Sequence, residues 1–342
     1  MLILGVESSC DETAAAVVES GRRILSDVVA SQIAVHTPYG GVVPEIASRK
    51  HVEAILPTIE SALVQSGFEG KDVDAVAAAQ GPGLVGALLV GISAAKAMAY
   101  ALDKPLLAVS HIEGHIHSAF LGREPIDKYM VCLVVSGGHT ALYEVDPEFR
   151  SRLLGTTRDD AAGEAFDKVA KLLGLGYPGG VVIDRLAQTG DPHAIPFPRA
   201  YLGKDSLDFS FSGIKTAVAG FLRRFSPVPG PGSDGSESFR VEDVVAGFQE
   251  AVVDVLVDKT MKAAEGCVVS DVAVVGGVAA NRRLRQRMEE EASRRGLRLH
   301  LPLPRYCTDN AAMIAAAGYS VWRRQGFCRD PLDLDARSRW LD

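Results

Sequence analysis

One order of strands and helices occurs twice along this chain, and the repetition limits its fold more than any single motif does. Apolar runs at Leu2 to Glu7, Ala14 to Glu19 and Ile24 to Ser31 read as three strands. A helix over Pro44 to Gln65, a strand over Val73 to Ala79, a Gly81-Pro-Gly83 turn and a helix over Leu84 to Leu102 follow. Then come a strand at Pro105 to Ser110 and a short histidine-bearing helix. The order restarts with strands at Tyr129 to Ser136, Thr140 to Val145 and Arg152 to Thr156, and a helix over Ala161 to Leu173. After a poorly periodic segment, 174–240, it resumes with a helix over Val241 to Glu265, a strand over Asp271 to Val275, a helix over Ala279 to Arg295, a strand over Leu297 to Leu301 and a helix over Asp309 to Arg324. Two copies of one β-β-β-α-β-α-β-α order predict an α/β fold of two duplicated lobes with a cleft between them. The expected N-terminal lobe is 1–120, with part of the last helix, 309–325, packing back on it. The expected C-terminal lobe is 121–308, with 174–240 as a helical insertion and 226–236 as a flexible loop rich in Gly, Pro and Ser.

Composition agrees with a globular protein large enough for two domains: 342 residues, 47% hydrophobic and 23% charged. The net charge of −7 provides no global basic field for nucleic acid, so any such contact must be local or assisted. The five scattered cysteines include no Cys-x-x-Cys, which fits a reducing cytoplasm rather than a disulfide framework. The N-terminus lacks a basic segment and meets Glu7 early, unlike a signal peptide. The most apolar stretch, Leu84 to Leu102, carries Lys96, which costs about 2.5–3.5 kcal/mol at the centre of a membrane span. A buried or interface helix is expected there, and no membrane.

His111-Ile-Glu-Gly-His115 places two imidazoles one helical turn apart, close enough to grip one cation, or simply to sit on a helix surface. Imidazole suits iron, zinc, copper or nickel. A zinc protease would need His-Glu-x-x-His. Here Glu113 lies two residues on, roughly 200° around the helix, so it points away from that pair. Two histidines leave a metal site incomplete. Tyr306-Cys-Thr-Asp-Asn310 opens the last helix, and there Thr308 or Asp309 is either an N-cap or, for Asp309, the third ligand.

Each half also has a turn suited to phosphate between its first two strands: Glu7-Ser-Ser-Cys-Asp-Glu-Thr13, and Val135-Ser-Gly-Gly-His-Thr140. Each is a plain hairpin turn or an anion cradle of backbone N–H groups. Ala273-Val-Val-Gly-Gly-Val-Ala-Ala-Asn281 runs from a strand into a helix. Its glycines let a planar ring lie on the backbone, and the Asn281 amide suits a ribose or base. The spacing is not Gly-x-Gly-x-x-Gly, which argues against a nicotinamide cofactor. Asp160, Glu164, Asp167 and Lys168 share helical faces, either as a solvated surface with a Glu164–Lys168 pair or, with Tyr177-Pro-Gly-Gly-Val-Val-Ile-Asp184, around a small polar substrate.

Together these segments resemble the bacterial tRNA N6-adenosine threonylcarbamoyltransferase family, once called O-sialoglycoprotein endopeptidase. The match runs from residue 1 to about 325 through Val6 to Thr13, Tyr39 to Glu45, Gly81 to Gly83, His111 to His115, Val135 to Thr140, Asp159 to Lys168, Tyr177 to Gly180, Asp208 to Lys215, Gly276-Gly277 with Asn281, and Cys307 to Asn310. The resemblance implies an actin/hexokinase-like (ASKHA) ATPase fold, an adenine nucleotide and one divalent metal on His111, His115 and Asp309, Fe2+ with Zn2+ as the alternative. It implies transfer of threonylcarbamoyl from threonylcarbamoyl-AMP to N6 of the adenosine 3′-adjacent to the anticodon, in tRNAs reading codons that begin with A. The substrate contacts it implies are Val134, Val135, Ser136, Gly137, Gly138, Asp167, Gly180, Asp184 and Asn281, with Glu12 and His139 near the phosphates. It implies partners too: a shorter paralogous subunit, met through a helical bundle that the Leu84 to Leu102 helix suits, and a small ATPase.

For that chemistry Asp11, Glu12 and His139 are the candidate general bases, unranked. For tRNA, Arg282, Arg283, Arg285, Arg287, Arg294, Arg295 and Arg298 form the local basic stretch, although a charge run of this kind is usually a solvated helix face. The rival functions are a small-molecule kinase on the same fold and a nucleotide-binding scaffold. The histidine pair opposes the kinase, whose Mg2+ takes oxygen ligands.

Overall fold

A computed structural model describes residues 1–203, 205–227 and 238–339. Most of the loop expected at 226–236 lies outside the described residues. Along the chain come β1 (Leu2–Glu7), β2 (Glu12–Glu19), β3 (Arg23–Ser31), α1 (Ile33–His36), α2 (Pro44–Ser66), β4 (Ala75–Gly81), α3 (Val85–Ala101), β5 (Leu106–Ser110) and α4 (His111–Ser118). The second series is β6 (Met130–Val135), β7 (Thr140–Val145), β8 (Ser151–Thr156), α5 (Ala162–Leu172), α6 (Gly179–Ala187), α7 (Ser212–Arg224), β9 (Ser226–Pro227), β10 (Ser238–Phe239), α8 (Val241–Cys267), β11 (Asp271–Val275), α9 (Arg282–Arg295), β12 (Arg298–His300) and α10 (Ala311–Gln325).

The chain forms two compact units. The first comprises Met1–Lys128, Val145–Ser151 and Pro302–Asp342, and the second Tyr129–Glu144 and Arg152–Leu301. The first unit's sheet has the order β3-β2-β1-β4-β5, and the second's, read from its other end, is β8-β7-β6-β11-β12. In each unit the third, second and first strands lie side by side and the two later strands extend beyond the first. The duplication read from the strand order is therefore present as one topology used twice.

In the first unit β1 runs antiparallel to β2 (Leu4 opposite Val17) and parallel to β4 (Gly5 opposite Ala77). Its strands are apolar on both faces because both are covered. Ile3, Ala16, Val18, Ala77, Leu107 and Val109 point to the side packed by Met313, Ile314, Ala316 and Ala317 of α10. Their neighbours Leu4, Val17, Val76 and Leu106 point the other way, onto Ile55 and Ile59 of α2 and Ala95 and Ala99 of α3. This alternation is the two-residue period of a strand. The Leu84 to Leu102 stretch is thus a helix against a sheet, and no helix among the described residues is long and apolar enough to cross a membrane.

In the second unit β11 lies parallel to β6, with Ala273 opposite Cys132. Phe248 of α8 meets Phe166 of α5 edge to face, ring centroids 5.1 Å apart, and both are fully buried. The insertion 174–240 contains α6 and α7. The sequence reading expected helical structure in 174–240 without placing a helix at α7, of whose thirteen residues only Ile214 and Val218 are buried. The helix expected to start at Ala279 begins at Arg282, after a short 3-10 turn over Gly277–Ala280.

Candidate metal centre and nucleotide loops

β5 ends at Ser110, whose hydroxyl accepts from the Glu113 N–H and caps α4. The first helical residue is therefore His111, and His115 follows one turn on. Their rings lie edge to face, centroids 4.6 Å apart. Gly114 lets α4 approach α10: a Cβ there would sit 2.9 Å from Cδ1 of Ile314. At the head of α10 the N-cap is Asn310, whose side chain accepts from the Met313 N–H at 2.9 Å. This corrects the capping alternative for Thr308 and Asp309. Asp309 instead turns Oδ1 to His115 Nε2 at 3.2 Å and His111 Nε2 at 3.5 Å. One ligand atom from each of the three residues lies within 4.8 Å of the others.

These residues fit a metal ion. His115 is fully buried: its Nδ1 has no hydrogen-bond partner and its Nε2 has only the contact with Asp309, a poorly compensated arrangement in a protein interior. The Nδ1–H of His111 donates to Glu7 Oε2 at 3.0 Å, with Ser9 Oγ at 3.1 Å, which leaves Nε2 as the nitrogen facing Asp309. Burial alone would lower the His111 pKa, but the Asp309 and Glu7 carboxylates outweigh it and raise the value to about 9. The pocket thus favours positive charge. Two imidazoles and one carboxylate are also the donor set of the non-haem iron triad. His117, on the same helix, is a core histidine. Its Nδ1–H donates to the Glu113 carbonyl, its Nε2 accepts from Ser320, its ring stacks on Phe149, and burial lowers its pKa to about 4.

The turn beside this cluster is a hairpin between β1 and β2. Its Glu12 accepts from Ser31 at 2.8 Å through one oxygen, while the other is buried and unpartnered. Burial raises its pKa to about 7 against the Ser31 hydrogen bond, with Asp11 and Asp309 adding to the rise. Asp11 follows Cys10 in the same turn, and its carbonyl accepts from Gln32 N–H.

In the second unit the turn after Val134 and Val135 closes when Ser136 N–H donates to the His139 carbonyl and His139 N–H to Ser136 Oγ. Gly137 and Gly138 at its tip are exposed, with nothing within 4 Å of where a Cβ would stand. Asp167 accepts from Gly179 N–H at 2.8 Å, which fixes the start of α6 just before Gly180. Asp184 accepts from Arg282 N–H at 3.0 Å. Asn281, buried, caps α9 through Leu284 N–H and donates to Gln249. The Glu164–Lys168 pair forms at 2.7 Å, and Lys168 and Lys215 both clasp Asp160.

The basic stretch over α9 and the first residue of β12 is largely neutralised. Arg283 and Arg287 pair with buried Glu250, Arg287 also with Asp254, and Arg298 with Asp271. Arg282 pairs with Asp184, Arg285 donates to the Ala279 carbonyl, and Arg294 and Arg295 pair with Glu291. Sequence reading missed Glu250 because it lies 33 residues before Arg283. It also passed over Glu7 as a partner of His111. The signal was there: a carboxylate ending a strand of otherwise apolar residues.

A repeat of this topology, with a His-His-Asp cluster in one unit and an exposed glycine loop in the other, places the chain in the actin/hexokinase-like fold class. Solved structures agree on the fold. Full-length HypF in its phosphate- and nucleotide-bound form superposes with a TM-score of 0.62 at 14% identity, over 96% of this chain and 47% of that one. The (R)-2-hydroxyglutaryl-CoA dehydratase component A of Acidaminococcus fermentans gives 0.55 at 15%, over 95% and 100%. Within that class the chain belongs to the tRNA N6-adenosine threonylcarbamoyltransferase family, whose model matches residues 23–316. Relatives of that name are 68% identical over 341 residues in Syntrophobacter fumaroxidans (all of both chains) and 56% over 335 in Symbiobacterium thermophilum (98% of this chain, 95% of the other). The chain is thus a transferase.

Proposed function

We propose that this protein moves the threonylcarbamoyl group of threonylcarbamoyl-AMP onto N6 of the adenosine 3′-adjacent to the anticodon, in tRNAs reading codons that begin with A. The observation that carries the reading is the buried His111–His115–Asp309 cluster in a chain of this family. His111, His115 and Asp309 would hold one divalent metal, Fe2+ in preference to Zn2+. When bound, it supplies Lewis-acid polarisation of a carbonyl oxygen. The exposed Gly137-Gly138 loop offers backbone N–H groups to the phosphate of the departing AMP. Val134 to Ser136, Asp167, Gly180, Asp184 and Asn281 are assigned to the nucleotide. Asp184 and Asn281 act through the α9 N-terminus they organise. The exocyclic amine of adenine is a weak nucleophile, so positioning supplies much of the rate. Among Asp11, Glu12 and His139, Glu12 has a carboxyl whose pKa near 7 suits proton acceptance at neutral pH.

The same reading assigns the protein to the cytoplasm, with a shorter paralogous subunit and a small ATPase as partners. Exposed Val52, Leu56 and Val64 on α2 and Val85 and Leu89 on α3 support a helix-on-helix contact there. Mass spectrometry of tRNA nucleosides tests the function, after incubation of the purified chain and its partners with threonylcarbamoyl-AMP and a matching tRNA. The modified nucleoside is expected. ATP-dependent phosphorylation of a small molecule instead would support a kinase, and nucleotide binding without product a scaffold.

A further inference from the structure

We propose that Glu7 is a positioning residue for the metal ligand His111, fixing its tautomer and strengthening its donor nitrogen. The inference rests on the His111–His115–Asp309 reading. Glu7 ends β1, is fully buried, and is held from two sides. One carboxylate oxygen accepts from Ser9 N–H, and the other accepts from His111 Nδ1–H at 3.0 Å. A carboxylate can only accept here, so the proton on Nδ1 is retained and Nε2 is the nitrogen that gives up its proton to bind a metal. A carboxylate behind a histidine also makes the imidazole a stronger donor. The two histidines differ in this respect: His115 Nδ1 is buried without any partner, so Glu7 supports one ligand of the pair. Nothing in the proposed transfer requires Glu7 to touch substrate.

The test is metal affinity, measured by Co2+ titration with its ligand-field spectrum and by Fe2+ competition, on the whole protein and its Glu7→Gln, Glu7→Ala and His111→Ala variants. Glu7→Gln keeps the size and an accepting oxygen but loses the charge. It is expected to weaken metal binding about 10-fold and to shift the Co2+ spectrum, and Glu7→Ala to weaken it about 100-fold. Thermal unfolding of metal-free Glu7→Gln should stay near the parent's. Affinity and spectrum unchanged in Glu7→Gln, with affinity lost in His111→Ala, would overturn the inference and leave the triad standing. Affinity unchanged in His111→Ala would overturn the triad itself. If Glu7→Ala does not fold, Glu7→Gln alone decides.

Discussion

Glu113 pairs with Arg324 of α10, although in sequence it sits between His111 and His115. The pair is mostly buried, with side-chain exposures of 16% and 11%. Burial raises the Glu113 pKa and Arg324 opposes the rise. The carboxylate therefore joins α4 to α10 and is not a base for the histidine pair, as the 200° rotation along the helix anticipated.

Arg324→Ala should cost about 3–5 kcal/mol, because it strands a buried carboxylate. Glu113→Gln with Arg324→Met should recover most of that loss, since replacing both partners removes the desolvation problem. Denaturant unfolding of the single and double variants measures this. Losses that simply add would contradict the pairing.

Asp27 lends itself to a pH test. Burial raises its pKa from 3.8 to about 6, against hydrogen bonds from Ala311 and Ala312 at the start of α10 and the charge of Arg305. A carboxyl with a raised folded pKa binds its proton more tightly in the native state, so its contribution to stability falls as pH rises from about 4 to about 6. Asp27→Asn keeps an acceptor for Ala312 N–H. It should gain about 1–2 kcal/mol at pH 7.5, allowing for partial exposure, and only about a third as much at pH 4.5. Thermal melts at the two pH values check it, and an equal gain at both would refute the assignment.

Gly276 and Gly277 are adjacent but not equivalent. Gly276 has φ +95°, and a Cβ there would lie 2.4 Å from the Val135 carbonyl, whereas Gly277 has open space. Gly276→Ala should cost about 1–3 kcal/mol through backbone strain. Gly277→Ala should leave stability within about 0.5 kcal/mol and raise the KM for the adenylate. Melting curves and steady-state kinetics separate the two. An equal loss of stability in both variants would contradict this division.

Much of this was legible in the sequence because it is local or periodic. Strand ends at Glu7, Ser31, Val145 and Val275 coincide with those read from alternation and apolar runs. The His111/His115 spacing and the doubled topology needed only periodicity. What was hidden depends on distant partners. The Glu250 pairs consume Arg283 and Arg287, and Asn310 takes the cap that Thr308 or Asp309 seemed equally able to fill. α7 fell inside an insertion read only as helical, with no bounds set for it.

That neutralisation bears on tRNA. Arg283→Ala with Arg287→Ala should lower stability by stranding Glu250. It should change the slope of log affinity for tRNA against log salt by less than about one, because neither arginine is free for phosphate. A slope reduced by about two would place both on the nucleic acid.

The most direct measurement compares the parent chain with His111→Ala/His115→Ala and with Asp309→Ala in the reconstituted transfer, reading threonylcarbamoyladenosine by mass spectrometry and bound metal on the same samples. The parent should carry one metal and yield product, and both variants should lose both together. Full product from either variant after its metal is gone would contradict the role given to His111, His115 and Asp309.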